Sequence, residues 1–111
     1  MPGNNRIRRL LDLLPGDLSQ SKLDILSREF DALAQDTSEV LAFFVLHHVC
    51  RRLSSALEGE AVSLPRFREL TGGLAVQMSA ILAALDEGKP VAADLEKLVA
   101  SLFENLALFR S

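Results

Sequence analysis

The sequence predicts an all-α protein: an up-and-down antiparallel helical bundle of four long helices plus a short N-terminal helix. Three observations carry this. Apolar residues recur at three- and four-residue spacing along the 111-residue chain, and no stretch alternates with period two. The hydrophobic 49% is mostly Leu and Ala, a mix that favours helix over strand. Pro, Gly and capping residues punctuate the chain, and the connections they leave are short enough for neighbouring helices to fold back on each other. With no repeat, low-complexity tract or flexible linker, residues 1–111 read as a single domain, long enough to bury one core.

The first helix is expected from about Asn5 to Leu14, with Ile7, Leu10, Leu11 and Leu14 on one face and Pro15-Gly16 ending it. The second runs from about Ser19 to Gln35 on the stripe Leu23, Leu26, Phe30 and Leu33; its other faces are charged, so one side should be buried. Asp36 with Glu39 has capping-box spacing for the third helix, with Thr37 as an alternative cap, and Gly59 closes it. Ser63-Leu64-Pro65 opens the fourth with a capping serine and a first-turn proline, and Gly88 stops it. Pro90 marks the entry to the fifth, which runs to about Phe109. Its stripe is Val91, Leu95, Leu98, Leu102, Leu106 and Phe109, thickened by Val99 and Phe103.

Helices three and four carry more apolar surface than a small bundle needs. The third has a core stripe of Phe43, Leu46, Cys50, Leu53 and Leu57, yet its opposite side begins Leu41, Phe44, Val45 before turning polar at His48, Arg52 and Ser55. The fourth has the stripe Phe67, Leu70, Leu74, Met78, Ile81 and Leu85, with no charged residue from Leu70 to Leu85. Its far face carries Gly72, Val76, Ser79 and Ala83, small residues at a spacing that lets helix backbones approach. Gly72 and Gly73 each cost about 1 kcal/mol against Ala in a helix interior, so close packing or a break should compensate. Apolar faces left over after a bundle is built are what an interface looks like in a sequence. The expected function is therefore a non-enzymatic helical protein–protein interaction module, an adaptor, regulator or assembly subunit. It would form a homodimer or bind another protein through Leu41, Phe44, Gly72, Val76, Ser79 and Ala83. The uncharged runs are shorter than the ~20 residues a membrane span needs.

Chemically capable groups concentrate in His47-His48-Val49-Cys50-Arg51-Arg52-Leu53-Ser54-Ser55, which holds both histidines and the single cysteine. Two ligands at His47 and Cys50 do not close a zinc site, and the arginines beside them repel a dication. The histidines stand two helical turns from Ser54 and Ser55, about 10 Å along the axis and beyond hydrogen-bond reach, which excludes a nucleophile–base pair. A phosphoryl acceptor needs less: an exposed imidazole on a rigid element and a cation to balance the phosphate. His48 points away from the core stripe, and Arg51 and Arg52 follow at i+3 and i+4. In this respect the segment resembles histidine-containing phosphotransfer domains, with His48 at the acceptor position and Arg51 at the basic position. It departs from them at Arg52, where the family keeps a glycine to make room for the docking response regulator. It also resembles the phosphoacceptor helix of sensor kinases, in which His47 or His48 would be the acceptor. The resemblance covers about ten residues and makes histidine phosphotransfer the alternative function.

Composition narrows the remaining classes. One cysteine leaves no internal disulfide and no multi-cysteine metal site, and Cys50 reads as a small buried hydrophobe. Without Trp or Tyr the usual platforms for sugars and single-stranded nucleic acid are missing. A net charge of −3, with Arg6, Arg8, Arg9, Arg66 and Arg68 balanced by nearby carboxylates, gives no reason to bind a polyanion, and no helix has the polar donors of a recognition helix. The stretch Ile7–Leu14 is broken by charges and is not a signal peptide. No cofactor, metal, nucleic acid or membrane partner is expected, and the expected location is the cytoplasm.

Overall fold

The described residues form five helices: α1 Pro2–Leu13, α2 Gln20–Asp36, α3 Val40–Gly59, α4 Leu64–Asp86 and α5 Ala92–Arg110. They are seen in a computed structural model that describes residues 2–14, 16, 18–36, 38–59 and 63–110, the side chains of 2–5 and 110 excepted. No strand occurs among the described residues. The fold is an all-α bundle of four long helices and a short N-terminal one.

The punctuation works through identifiable hydrogen bonds. Ser63, extended at φ −73° and ψ 151°, accepts the Arg66 N–H on its hydroxyl, with Pro65 in the first turn where no intrahelical N–H is needed. At the other end of α4, Gly88 takes φ +73°; its N–H reaches the Leu85 carbonyl at 3.1 Å, and the Lys89 N–H reaches that of Ala84 at 2.8 Å. Those two bonds are the paired closure of a Schellman turn. Gly16, after α1, is likewise in the left-handed region, at φ +94°.

Three boundaries differ from expectation. α1 begins at Pro2 rather than Asn5. Asp36 is the last residue of α2, and its carboxylate accepts from Arg6 at 3.0 Å instead of capping α3. The Phe43 N–H bonds to the Glu39 carbonyl, so Glu39 holds the entry to α3; Thr37 and Pro15 lie outside the described residues. At α5 the Leu95 N–H bonds to the Val91 carbonyl, which puts the entry one residue past Pro90.

The core runs through all five helices. Phe30, Phe43 and Phe67 are fully buried, together with Leu10, Leu14, Leu23, Leu26, Leu33, Leu46, Leu53, Leu74 and Met78. Phe30 stacks on Phe43 across α2 and α3, and Phe67 on Phe109 across α4 and α5. Each such side chain contributes about 1.5–3 kcal/mol by leaving water. The expected stripes lie inside, with Leu11, Leu57, Leu70 and Leu85 half-buried at their margins.

Helix α2 packs most extensively on α3, and α4 on α5, as short connections dictate. α1 sits against α4 and touches α2. The neighbour beside α3 on its other side is α5, two helices on in sequence, rather than α4. That placement positions the candidate site.

Candidate functional site

Helices α3 and α5 lie side by side with an open seam between their outer faces. Leu41, Val45, Ala92, Leu95, Glu96, Val99, Ala100 and Phe103 line a depression of about 530 Å³. It continues into a second of about 270 Å³, where Phe44, Val45, His48, Val49 and Arg52 face Val99, Leu102 and Phe103. Val45, Val99 and Phe103 belong to both, so the two make one groove. The first depression begins at Leu41 on α3 and Ala92 on α5, and the second draws on later residues of both helices, to Arg52 and Phe103, so α3 and α5 run in the same direction. The walls are aliphatic and aromatic. Among the described residues, Glu96 and Arg52 are the formally charged ones that line them, Glu96 in the first depression and Arg52 in the second.

The side chains that rise from this groove are unusually exposed for their size: Leu41 at 70%, Phe103 at 64% and Phe44 at 53%. The exposure of Leu41 and Phe44 follows from the all-round apolar first half of α3, because a helix packed between two neighbours still leaves an outer face. Phe103 and Val99 correct the expectation that both thicken the α5 core stripe. At about 100° per residue Phe103 stands well off the Leu98–Leu102–Leu106 line, and with Val99 four residues earlier it begins a second stripe. That spacing was the available signal; with no partner helix in view, a broad apolar sector reads as core.

The α4 residues stand apart from this groove. None of Gly72, Val76, Ser79 and Ala83 lines it. Val76 is 70% exposed, Gly72 and Ala83 are exposed, and Ser79 is half-buried. No atom stands within 4 Å of where a Cβ would be at Gly72 or Gly73, and α4 runs unbroken through both. Neither close packing within the chain nor a helix break accounts for the glycines. Leu41 and Phe44 therefore share a surface with α5, not with α4.

The histidines divide. His47 is turned inward: its Nδ1 lies 2.8 Å from the Ser27 carbonyl oxygen and 3.1 Å from the Ser27 hydroxyl. A carbonyl can only accept, so the imidazole proton sits on Nδ1. His48 is exposed, its ring 4.4 Å from that of Phe44 in an edge contact, at the rim of the groove. Arg51 and Arg52 are exposed beside it, and neither has a carboxylate partner among the described residues. Cys50 is fully buried, and desolvation pushes its thiol up to about 12. No group of three potential metal ligands occurs among the described residues.

Arg6, Arg8 and Arg66 have structural partners. Arg6 pairs with Asp36 at 3.0 Å and Arg8 with Asp86 at 3.7 Å, tying α1 to the ends of α2 and α4. Arg66, whose place in a first helical turn gains nothing from the dipole of α4, donates to the Leu108 carbonyl at 3.3 Å and so caps the end of α5. α3 is long and apolar enough to cross a membrane by length and composition alone, and 39% of its most apolar stretch is buried within the fold. Comparison with protein-family models, with curated proteins and with solved structures finds no match.

Proposed function

We propose that this chain is a non-enzymatic helical protein–protein interaction module that docks a partner along the α3–α5 groove. The observation that carries the reading is the continuity of the groove, two adjoining apolar depressions flanked by the exposed Leu41, Phe44 and Phe103. Large apolar side chains gathered on one face beside depressions are what a docking surface offers, and burying them against a partner releases the water they order. A cytoplasmic setting belongs to the same reading, supported by the lone buried thiol. The α4 face of Gly72, Val76, Ser79 and Ala83 is the other contact surface under this reading, and Ala83→Arg tests it separately. The experiment for the groove places a photo-crosslinking residue at position 103, with position 29 on the outer side of α2 as control. Adducts should form at 103 in cells and not at 29. Equal yields at both positions overturn the reading.

A second reading has its own observation: His48 is exposed, with Arg51 and Arg52 beside it and no carboxylate paired to either among the described residues. This supports histidine phosphotransfer, in which an imidazole nitrogen of His48 takes a phosphoryl group and the guanidiniums balance its charge. Acid-labile phosphate on the chain after incubation with a phosphodonor kinase, lost in His48→Gln, is the expected result. Equal labelling of the variant ends this reading.

A further inference from the structure

Each of the two depressions of the α3–α5 groove has one charged lining residue among those described, and the two are of opposite sign. Glu96 lines the depression it shares with Leu41 and Ala92, and Arg52 lines the one it shares with His48 and Leu102. The apolar side chains between them both protrude and border depressions. A surface with that arrangement is complementary to itself once it is turned end for end.

We propose that the occupant of this groove is a second copy of the chain, lying antiparallel across a two-fold axis so that Arg52 of each copy meets the partner subunit's Glu96. This rests on the groove being a docking surface, as read above, and names what docks there. The axis crosses the groove between Glu96 and Arg52, where Val45, Val99 and Phe103 are shared by both depressions. The protruding Phe44 and Phe103 of one copy then enter the depressions of the other, and the apolar strip is closed from water by both copies at once. The reverse, parallel arrangement sets Arg52 against Arg52 and Glu96 against Glu96. Like charges at an interface rim discriminate strongly against such a register.

The test is sedimentation velocity of the purified chain from low micromolar to several hundred micromolar. The wild type should pass from monomer to dimer. Arg52→Glu and Glu96→Arg, each placing like charges at both symmetry-related contacts, should each weaken association on the order of tenfold or more. The double variant should recover it, because the pairs are restored with their signs exchanged. Both positions are on the surface, and helical circular dichroism checks that each variant is folded.

A wild type that stays monomeric throughout overturns the second copy as occupant, while the crosslinking experiment still decides whether anything docks at position 103. A dimer that Phe103→Glu leaves intact but Ala83→Arg dissolves places the contact on α4 and overturns the proposal. A dimer broken by both single charge changes and not recovered in the double variant overturns the antiparallel register.

Discussion

The Nδ1 of His47 lies 2.8 Å from the backbone carbonyl oxygen of Ser27, joining the middle of α3 to the middle of α2. That carbonyl belongs to a helix, so the imidazole uses its second lone pair. Ser27 itself is buried, and its short side chain leaves room for the ring between the two most extensively packed helices.

Removing this bond should therefore be felt as stability. His47→Ala leaves the pocket between the helices part-empty and is expected to cost about 1–3 kcal/mol. His48→Ala, one residue on but outside, should stay within about 0.5 kcal/mol. Urea unfolding of both variants at low protein concentration checks the contrast. Equal costs would mean that the Ser27 bond contributes nothing beyond ring exposure.

Two glycines should respond with opposite signs. Gly88 holds φ +73° with open space around its Cβ position, so Gly88→Ala meets only backbone strain, about 1 kcal/mol of lost stability. Gly72 lies mid-helix with no atom near its Cβ position, so Gly72→Ala should gain about 0.5–1 kcal/mol through helix propensity. Thermal melts of the two variants should move in opposite directions. A Gly72→Ala chain that gains no stability would point to a backbone contact made by α4.

The fold was legible because its signals are local. The Ser63 cap, the Gly88 stop and the stripes Leu23–Leu33 and Phe43–Leu53 each depend on residues within a turn or two of one another, and each stands as read. The site was legible by half. Leu41 and Phe44 were visible as surplus on α3, whereas Phe103 and Val99 were not, because their exposure depends on which helix lies beside α5. That is a long-range fact: α5 neighbours α3, which no spacing within either helix encodes. The roles of Arg6, Arg8 and Arg66 were hidden for the same reason, since their partners stand on other helices.

Burial pushes the Cys50 thiol from its ordinary 9.0 up to about 12. Native chain at pH 8 should react only slowly with an aromatic disulfide reagent, and unfolding should release one reactive thiol. The linkage follows in sign. The folded pKa lies above the unfolded one, so the unfolded chain loses its thiol proton first, and stability falls as pH rises from about 9 towards about 12. Cys50→Ala, less stable at neutral pH because of the cavity, should lose less of its remaining stability across that window. Stoichiometric labelling of the native chain within seconds at pH 8 would show that Cys50 is open to solvent.

Phe103 and Phe67 separate surface from core most sharply. Phe67 is fully buried and stacks on Phe109, so Phe67→Ala should cost about 3–5 kcal/mol. Phe103 is 64% exposed, so Phe103→Ser in dilute solution should change monomer stability by no more than about 0.5 kcal/mol. A residue that holds the fold together cannot be removed so cheaply, and a large exposed ring that can be removed is kept for something outside the monomer. Chemical denaturation of both variants measures the contrast. A loss above about 2 kcal/mol for Phe103→Ser would mean that the ring closes over the α3–α5 seam as part of the core, and the groove would then be packing, not docking surface.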